Sequence, residues 1–368
     1  MTPRSRPSRI EVDLPDRPYP VVVGDGWLEV LTSHVPLPAS VRRALVVSQP
    51  PVVDAGHVAV VEDGLREQGI EVVRETLADG EGAKDLDGLA RLWQAAAQAP
   101  LSRDDLIVAV GGGVVGDLAG FAAATYNRGI AVLQVPTTLL AQVDAAIGGK
   151  TGVNLPQGKN LVGAFHQPVA VACDVGVLAT LPDRLLTEGL AEVVKYGLMA
   201  DPRLLDTLEV VSAGDEPLDA TLLDEVVSRS VAVKAAVVAE DEHEHGRRAH
   251  LNLGHTYGHA VEALTGYTEV LHGEAVAIGM MVALRLGERL GHTPPTLVRR
   301  TERLLQGLGL PVRGPELDRS EVWQVMGRDK KVSGGAVRFV VLEALAAPRV
   351  IVPDVAEVDA VLDGLTAG

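Results

Sequence analysis

Residues in the second half of the chain have the types and spacing of a metal site. His255 and His259 stand four residues apart after a glycine, so both lie on one face of a predicted helix. His272 follows in a second glycine-rich segment, and carboxylates stand upstream in the run Glu188-Gly-Leu-Ala-Glu-Val-Val-Lys195. Two imidazoles, one carboxylate and an open position suit a catalytic Zn²⁺ that acts as a Lewis acid. Spacing alone leaves the histidine pair open between His255 with His259 and either of them with His272.

A second group of residues predicts an anionic small-molecule ligand. Residues 136–150 end in Gly148-Gly149-Lys150, and Asn154, Lys159 and Asn160 follow within ten residues. The glycine pair lets the backbone approach a ligand closely, while Lys150, Lys159 and Asn160 supply donors suited to phosphate or carboxylate. The close spacing of glycine and asparagine residues among the lysines distinguishes this group from an ordinary surface lysine cluster.

A glycine-rich run, Leu106-Ile-Val-Ala-Val-Gly-Gly-Gly-Val-Val-Gly-Asp117, predicts a strand, a turn and a helix start. Gly111, Gly113 and Gly116 match G-x-G-x-x-G, which lets a diphosphate approach the unpaired N–H groups of a helix N-terminus. The match alone is weak, because it lies several strands into the chain and no acidic residue ends the following strand. A tight turn with close helix packing is the alternative interpretation. The loop at residues 79–84 also follows a predicted strand and would stand at the same edge of the sheet.

The order of the predicted elements indicates two domains. The first half alternates β-branched runs with helical segments, as βαβ units of a parallel sheet do, and helix periodicity dominates after residue 180. We therefore predict an α/β N-terminal Rossmann-like parallel-sheet domain at residues 1–177 and a mainly α-helical C-terminal domain at residues 178–368. The predicted strands are residues 21–23, 44–47, 71–75, 106–110, 130–135, 169–175, 337–342 and 350–352. The predicted helices are residues 52–68, 85–98, 185–199, 221–239, 255–264 and 274–290.

Composition narrows the class of protein. Hydrophobic residues make up 47% of the chain and charged residues 22%, which is ordinary for a soluble globular protein. A chain of 368 residues is long for a single hydrophobic core. The formal charge of −16 works against nucleic-acid binding, which needs a basic surface. The single Cys173 has no internal disulfide partner, and we expect it in a buried strand. No apolar segment follows Arg4, Arg6 and Arg9, and no run is long enough to span a membrane, so we expect a cytoplasmic protein with no membrane partner.

Taken together, the motifs resemble those of the 3-dehydroquinate synthases, members of the sugar phosphate cyclase superfamily. Only the first forty residues and parts of the helical half are generic. The resemblance implies a homodimeric lyase of the shikimate pathway that holds NAD and a divalent metal, Zn or Co. Its reaction would convert 3-deoxy-D-arabino-heptulosonate 7-phosphate to 3-dehydroquinate and phosphate by transient NAD-dependent oxidation, phosphate elimination and intramolecular aldol closure. The matching segments are residues 79–84, 111–121, 125–128, 134–154, 158–168, 189–197, 252–262, 272–280 and 329–331.

The resemblance also implies roles for individual residues. The metal ligands would be Glu192, His255 and His272, which leaves His259 on the substrate side. Arg128 resembles a residue that reaches into the site of the partner subunit. The remaining catalytic or substrate positions are Lys150, Asn160, Lys195, Lys234, Arg248, Asn252, Lys331 and Asp144, and the cofactor positions are Glu81, Lys84, Gly111, Gly112, Gly113, Val114, Gly116, Asp117, Thr137, Thr138, Lys150, Lys159, Thr180 and Leu181.

Two positions depart from the family pattern. Leu185 stands where the family usually has an acidic residue on the cofactor side. Arg247 and Arg248 are both available as the binding arginine, and we choose Arg248 because it keeps a four-residue offset to Asn252.

Three other functions compete with this interpretation. A cyclase acting on sedoheptulose 7-phosphate, or an aminodehydroquinate synthase, would share the NAD and metal sites. Arg248 and the pair Lys330-Lys331 favour the acidic substrate over a neutral sugar phosphate. A metal-dependent polyol dehydrogenase would lack the phosphate and carboxylate donors, and a catalytically silent scaffold would not need the metal ligands together with Lys195.

Overall fold

The N-terminal half forms a twisted sheet in the computed structural model, which describes residues 7–244, 246–328 and 336–365. Within these residues the sheet has seven strands in the order β1-β2-β9-β6-β5-β3-β4. All neighbours pair in parallel except β1 and β2, which are antiparallel. The strands are β1 (Ser8–Val12), β2 (Tyr19–Gly24), β3 (Arg43–Ser48), β4 (Glu71–Thr76), β5 (Leu106–Gly111), β6 (Ala131–Pro136) and β9 (Ala170–Asp174), and a separate hairpin is formed by β7 (Lys150–Leu155) and β8 (Gly158–Phe165).

The central strands are rich in valine, leucine and alanine because parallel strands are covered on both faces. Every residue of β5 is buried, and the β9 residue Cys173 is fully buried, as the sequence predicts. Burial raises the pKa of the Cys173 thiol, so it is an inert packing group.

Thirteen α-helices lie within the described residues. They are α1 (Leu31–His34), α2 (Pro50–Asp54), α3 (His57–Glu67), α4 (Leu86–Gln98), α5 (Gly113–Thr125), α6 (Asp183–Met199), α7 (Pro202–Ser212), α8 (Ala220–Glu240), α9 (His255–Leu264), α10 (His272–Arg289), α11 (Pro295–Gly307), α12 (Arg319–Arg328) and α13 (Val355–Asp363).

The predicted strands of the parallel sheet are all present, and three local differences have physical causes. The predicted helix at residues 52–68 is two helices, because Gly56 has a φ of 87° and interrupts the helical backbone between α2 and α3. Strand β1 was not predicted, since its exposed side chains give only a weak pattern. The hairpin of β7 and β8 was not predicted either, because glycine, asparagine and lysine dominate its sequence.

The chain divides into two compact units. The first comprises Met1–Leu186 and Asp219–His243, and the second comprises Thr187–Leu218 and Glu244–Gly368. Helix α8 therefore belongs to the first unit, where it packs against β1 and β2. The sequence predicts a single domain boundary, between residues 177 and 178. The assignment of a cofactor domain before it and a substrate domain after it stays a prediction.

The second unit is mainly helical and contains an antiparallel pair, β10 (Phe339–Ala344) and β11 (Ala347–Ile351), close to the predicted strands. Thirteen of the 18 residues of α10 are buried, and a helix that is apolar around most of its surface must be covered on several sides. Helix α9 packs along α10. In the described part of the chain no helix is both long and apolar enough to cross a membrane.

Glycines set the spacing between the helices of this unit. A Cβ added at Gly279 of α10 would lie 1.8 Å from the carbonyl oxygen of Gly254, the residue before α9. At Gly273, also on α10, it would lie 1.9 Å from the carbonyl oxygen of Glu188 on α6. Only glycine permits such close backbone contacts. The first turns of α9 and α10 and the middle of α6 are therefore held together.

Candidate active site

Three helices of the second unit bring Glu192, His255 and His272 together. Glu192 comes from α6, while the two histidines are the first residues of α9 and α10. The Nε2 atom of each histidine lies 3.5 Å from Oε1 of Glu192. One ligand atom from each residue falls within 4.8 Å of the other two, which is close enough for all three to share one metal ion.

The carboxylate of Glu192 has the chemistry of a metal ligand. Its side chain is fully buried, and neither oxygen accepts a hydrogen bond of normal geometry from the described residues. Lys195, one turn further along α6 and also buried, forms an ion pair with Oε2 of Glu192. A buried carboxylate without hydrogen bonds is costly unless a cation compensates it. The residues present therefore fit a divalent metal.

Both histidine rings are held through Nδ1. In His255 this atom lies 3.2 Å from the carbonyl oxygen of Leu253, and in His272 it lies 3.0 Å from Oε2 of Glu262. An imidazole that donates from Nδ1 keeps its Nε2 lone pair for a metal. Burial lowers the pKa of His272, but the carboxylates of Glu262 and Glu192 outweigh it and hold that pKa well above its usual value. A metal ion would thus compete with a proton at this ring.

His259 lies beside this cluster and outside it. Its ring centroid is 5.3 Å from that of His255 and 6.4 Å from that of His272. Among the pairs that spacing left open, the pair that shares the Glu192 carboxylate is His255 with His272. The assignment of His259 to the substrate side stays a prediction.

The glycine-rich turn of the first unit has the predicted strand, turn and helix. Strand β5 ends at Gly111, and α5 begins at Gly113 with Gly112 as an N-cap that makes no side-chain hydrogen bond. The N–H groups of the first turn thus have no side-chain cap at Gly112 and suit an anion such as a diphosphate. A Cβ at Gly116 would lie 2.9 Å from the Gln134 side chain, so this glycine also serves close packing. The close-packing interpretation therefore holds at Gly116, and diphosphate binding at Gly111 and Gly113 stays a prediction.

Polar contacts connect the loop at residues 79–84 to that turn and to the hairpin. Lys84 is buried, and its Nζ lies 2.5 Å from Oδ2 of Asp117 on α5. Burial raises the pKa of Asp117, an effect that Lys84 opposes. Nδ2 of Asn154 on β7 donates to Oε1 of Glu81 at 2.7 Å, and Nζ of Lys159 on β8 lies 3.8 Å from the same oxygen. Four predicted cofactor residues, Glu81, Lys84, Asp117 and Lys159, thus form two connected ion pairs at one edge of the sheet.

A second charged pair of the first unit joins Asp144 and Lys234. Asp144 lies in a short π-helix, Ala141–Ala145, and Lys234 is a buried residue of α8. Nζ of Lys234 lies 2.6 Å from Oδ1 of Asp144 and also donates to its carbonyl oxygen. A π-helical turn is rare and is frequent at functional sites. The resemblance implies a place around the substrate for Lys234 and one near the reacting centre or the cofactor for Asp144, and the structure pairs the two side chains.

The other predicted residues of the first unit are spread over several elements around the sheet. Thr137 and Thr138 follow β6, and the N–H of Thr137 donates to the carbonyl oxygen of Gly111. Lys150 opens β7 with an exposed side chain, and Asn160 of β8 has a φ of 54°. The rest are Arg128, which is exposed after α5, Val114 in the first turn of α5, and Thr180 and Leu181, which end and follow a 3₁₀ helix, Val175–Thr180.

Two predicted substrate residues of the second unit lie in a 3₁₀ helix, Arg247–Asn252. Arg248 is buried and Arg247 is exposed, which favours Arg248 as the binding arginine. Nδ2 of Asn252 donates to Oε1 of Glu244 at 3.1 Å. Lys331 and its neighbour Lys330 lie outside the described residues.

The sequence missed three residues that organise these sites. Glu262, the partner of His272, is seven residues after His255 on one helix, so its spacing places it on the ligand face. Asn154 was noted only as punctuation, yet its amide joins the hairpin to Glu81. Gln49 gave no signal, although its buried side chain donates to the carbonyl oxygens of Ala78 and Gly80 and so anchors the loop at residues 79–84.

Family models match most of the chain. The model described as 3-dehydroquinate synthase N-terminal matches residues 74–188, and the one described as 3-dehydroquinate synthase C-terminal matches residues 189–332. A 3-dehydroquinate synthase of Halorhodospira halophila is 48% identical over 91% of this chain and 92% of its own length. Those of Azotobacter vinelandii and Gloeobacter violaceus are 46% and 49% identical, covering 91% and 92% of this chain and 91% and 93% of their own lengths.

Solved structures with the same fold come from related cyclases. A 2-deoxy-scyllo-inosose synthase solved with carbaglucose-6-phosphate, NAD⁺ and Co²⁺ has a TM-score of 0.85 at 26% identity, covering 96% of this chain and 99% of that one. A 2-epi-5-epi-valiolone synthase from Streptomyces hygroscopicus, solved with NAD⁺ and Zn²⁺, has a TM-score of 0.86 at 27% identity, covering 96% and 98%. From the two matching models and the three relatives, we conclude that this chain belongs to the 3-dehydroquinate synthase family.

Proposed function

We propose that this chain is a lyase that converts 3-deoxy-D-arabino-heptulosonate 7-phosphate to 3-dehydroquinate and phosphate, with bound NAD and a divalent metal. The observation that carries the proposal is the buried Glu192 carboxylate facing Nε2 of His255 and His272, in a chain 46–49% identical to 3-dehydroquinate synthases. The related cyclases of other substrates are more distant, at 26–27% identity.

Glu192, His255 and His272 would hold the metal, and the turn at Gly111–Gly113 with the Glu81 and Lys84 loop would hold NAD. When bound, NAD supplies a hydride acceptor that is restored within the turnover, and the metal supplies a Lewis acid for a substrate oxygen. The chain itself would position the substrate and neutralise its charges. Such positioning is a large part of catalysis when the leaving phosphate needs little help from a protein base.

The donors assigned to the substrate fit an acid phosphate. Lys150 and Asn160 of the hairpin offer an ammonium and an amide, and we assign them to the phosphate side. Arg248 is buried, so its fixed positive charge would be stabilised by a substrate carboxylate, whereas a neutral sugar offers it no opposite charge. Lys195 is held against Glu192 by its ion pair, so its ammonium lies beside one of the residues that would hold the metal.

One assay separates this function from its competitors. Purified protein is given the heptulosonate phosphate or sedoheptulose 7-phosphate with a catalytic amount of NAD⁺, and phosphate release and NADH absorbance are followed together. We expect many turnovers of phosphate release from the acidic substrate without accumulation of NADH. Stoichiometric NADH without phosphate would identify a dehydrogenase, and a preference for sedoheptulose 7-phosphate would identify a different cyclase.

We also propose a cytoplasmic homodimer in which Arg128 of one subunit completes the site of the other. Arg128 and Asn127 have φ values of 68° and 51°, left-handed conformations that are costly for such residues and that cluster at functional positions. Mixing inactive Arg128→Ala protein with inactive Lys150→Ala protein should restore part of the activity through hybrid dimers with one intact site. No recovery after demonstrated subunit exchange would contradict the shared site.

A further inference from the structure

We propose that Glu262 is a positioning residue that fixes the ring of His272 for metal binding. The inference rests on the metal site of the proposed function and extends it to a residue outside the ligand set. Glu262 is buried on α9, the helix that begins with the ligand His255. One helix would therefore both provide a ligand and orient a second ligand that α10 provides.

The contact between Glu262 and His272 is directed at the ring atom away from the metal position. Oε2 of Glu262 lies 3.0 Å from Nδ1 of His272, and Nε2 of the same ring lies 3.5 Å from Oε1 of Glu192. A carboxylate that accepts from Nδ1 fixes the tautomer and the ring rotation, and it makes Nε2 a stronger donor to a metal. The two carboxylates thus lie on opposite sides of one imidazole.

His272 needs such an anchor more than His255 does. The His272 side chain is 26% exposed and that of His255 is 12% exposed, so His272 has less packing around its ring. Nδ1 of His255 already lies against a backbone carbonyl, that of Leu253, which no side-chain substitution removes. Nδ1 of His272 relies on Glu262, and a charged acceptor gives the stronger hydrogen bond.

The test measures the metal, so it does not depend on turnover. The full-length metal-free protein is titrated with Co²⁺ against a chromophoric chelator, and the visible Co²⁺ spectrum of the bound form is recorded. We expect Glu262→Ala to weaken Co²⁺ binding by about 10- to 100-fold and to change the spectrum. Glu262→Gln keeps the volume and one acceptor oxygen, so we expect it to recover much of the affinity.

Glu188→Gln is the matched control. Glu188 is a second buried carboxylate of this unit, and it accepts from the N–H of Gly273 at 3.3 Å, next to His272. Its substitution removes the same charge near the site but leaves the Nδ1 contact in place. We expect Co²⁺ affinity and spectrum close to those of the wild type.

Three results would overturn the inference. The first is wild-type affinity and spectrum in both Glu262 variants. The second is a loss of Co²⁺ affinity in Glu188→Gln as large as that in Glu262→Ala, because the effect would then be one of net charge near the site. The third is a wild-type chain that takes up no Co²⁺. If Glu262→Ala does not fold, the Gln variant decides, by an altered Co²⁺ spectrum or an unaltered one. Phosphate release by the wild type is assayed separately, so metal binding without phosphate release would contradict the proposed function and leave the role of Glu262 standing.

Discussion

The replacement Gly273→Ala tests whether close helix contacts build the metal site. The new Cβ would lie 1.9 Å from the carbonyl oxygen of Glu188 and 2.9 Å from its Cα, and these backbone atoms cannot rotate away. Helices α6 and α10 would have to separate by about 1 Å before the contact became tolerable. We expect the free energy of unfolding to fall by about 3 kcal/mol, the upper part of the range for overpacked cores.

The same shift should weaken metal binding, because His272 is the neighbour of Gly273 and Glu192 is one turn from Glu188. A movement of about 1 Å is several times the tolerance of about 0.2 Å on metal–ligand distances. Denaturant unfolding gives the stability, and chelator competition gives the metal affinity. Gly64→Ala in α3 is the control, because no atom lies within 4 Å of its added Cβ, and we expect it to gain about 0.5–1 kcal/mol. Unchanged stability and unchanged metal affinity in Gly273→Ala would refute this account of the site.

Two further predictions concern charged groups of the first unit. The Asp105 carboxylate accepts hydrogen bonds from the N–H groups of Arg42, Arg43 and Ser102. Burial raises the pKa of Asp105, but these hydrogen bonds outweigh burial, and the pKa is lower than usual. The ionised carboxylate therefore stabilises the fold at neutral pH, and this stabilisation is lost as the pH falls below about 4. Asp105→Asn should therefore make the free energy of unfolding, measured with denaturant, depend less on pH in the acid range. Asp104→Asn, at an exposed position, should leave that pH dependence unchanged, and equal pH dependence in the two variants would contradict the role of Asp105. Lys84→Met should lower the free energy of unfolding by about 2–3 kcal/mol, less than the loss for a fully buried pair, because the Asp117 side chain is 19% exposed. Adding Asp117→Leu should restore most of this stability, and a double variant no more stable than the single one would contradict the prediction.

Much of the fold follows from local patterns. The parallel strands are recognisable because β-branched runs buried on both faces stand out from their surroundings. The limits of α9 match the prediction, since glycine and the periodic apolar residues mark them. The hairpin carrying Lys150 and Asn160 was not predicted, because its glycine, asparagine and lysine residues give no clear strand pattern. The place of α8 in the first unit also required tertiary packing, which no local pattern encodes.

The sequence by itself determined the kinds of chemical group available. Histidines and a glutamate of metal-ligand type, lysines beside glycines and a glycine-rich turn are all visible in it, because residue type and short-range spacing are local properties. Spacing could not choose between His259 and His272, which are related by four and by seventeen residues to His255. The tertiary structure decided that question, because close contacts at Gly273 and Gly279 bring α10 against α6 and α9. As a result, Oε1 of Glu192 lies 3.5 Å from Nε2 of both His255 and His272. Contacts between residues so far apart in the chain depend on how backbones pack, and that is settled only when the helices meet.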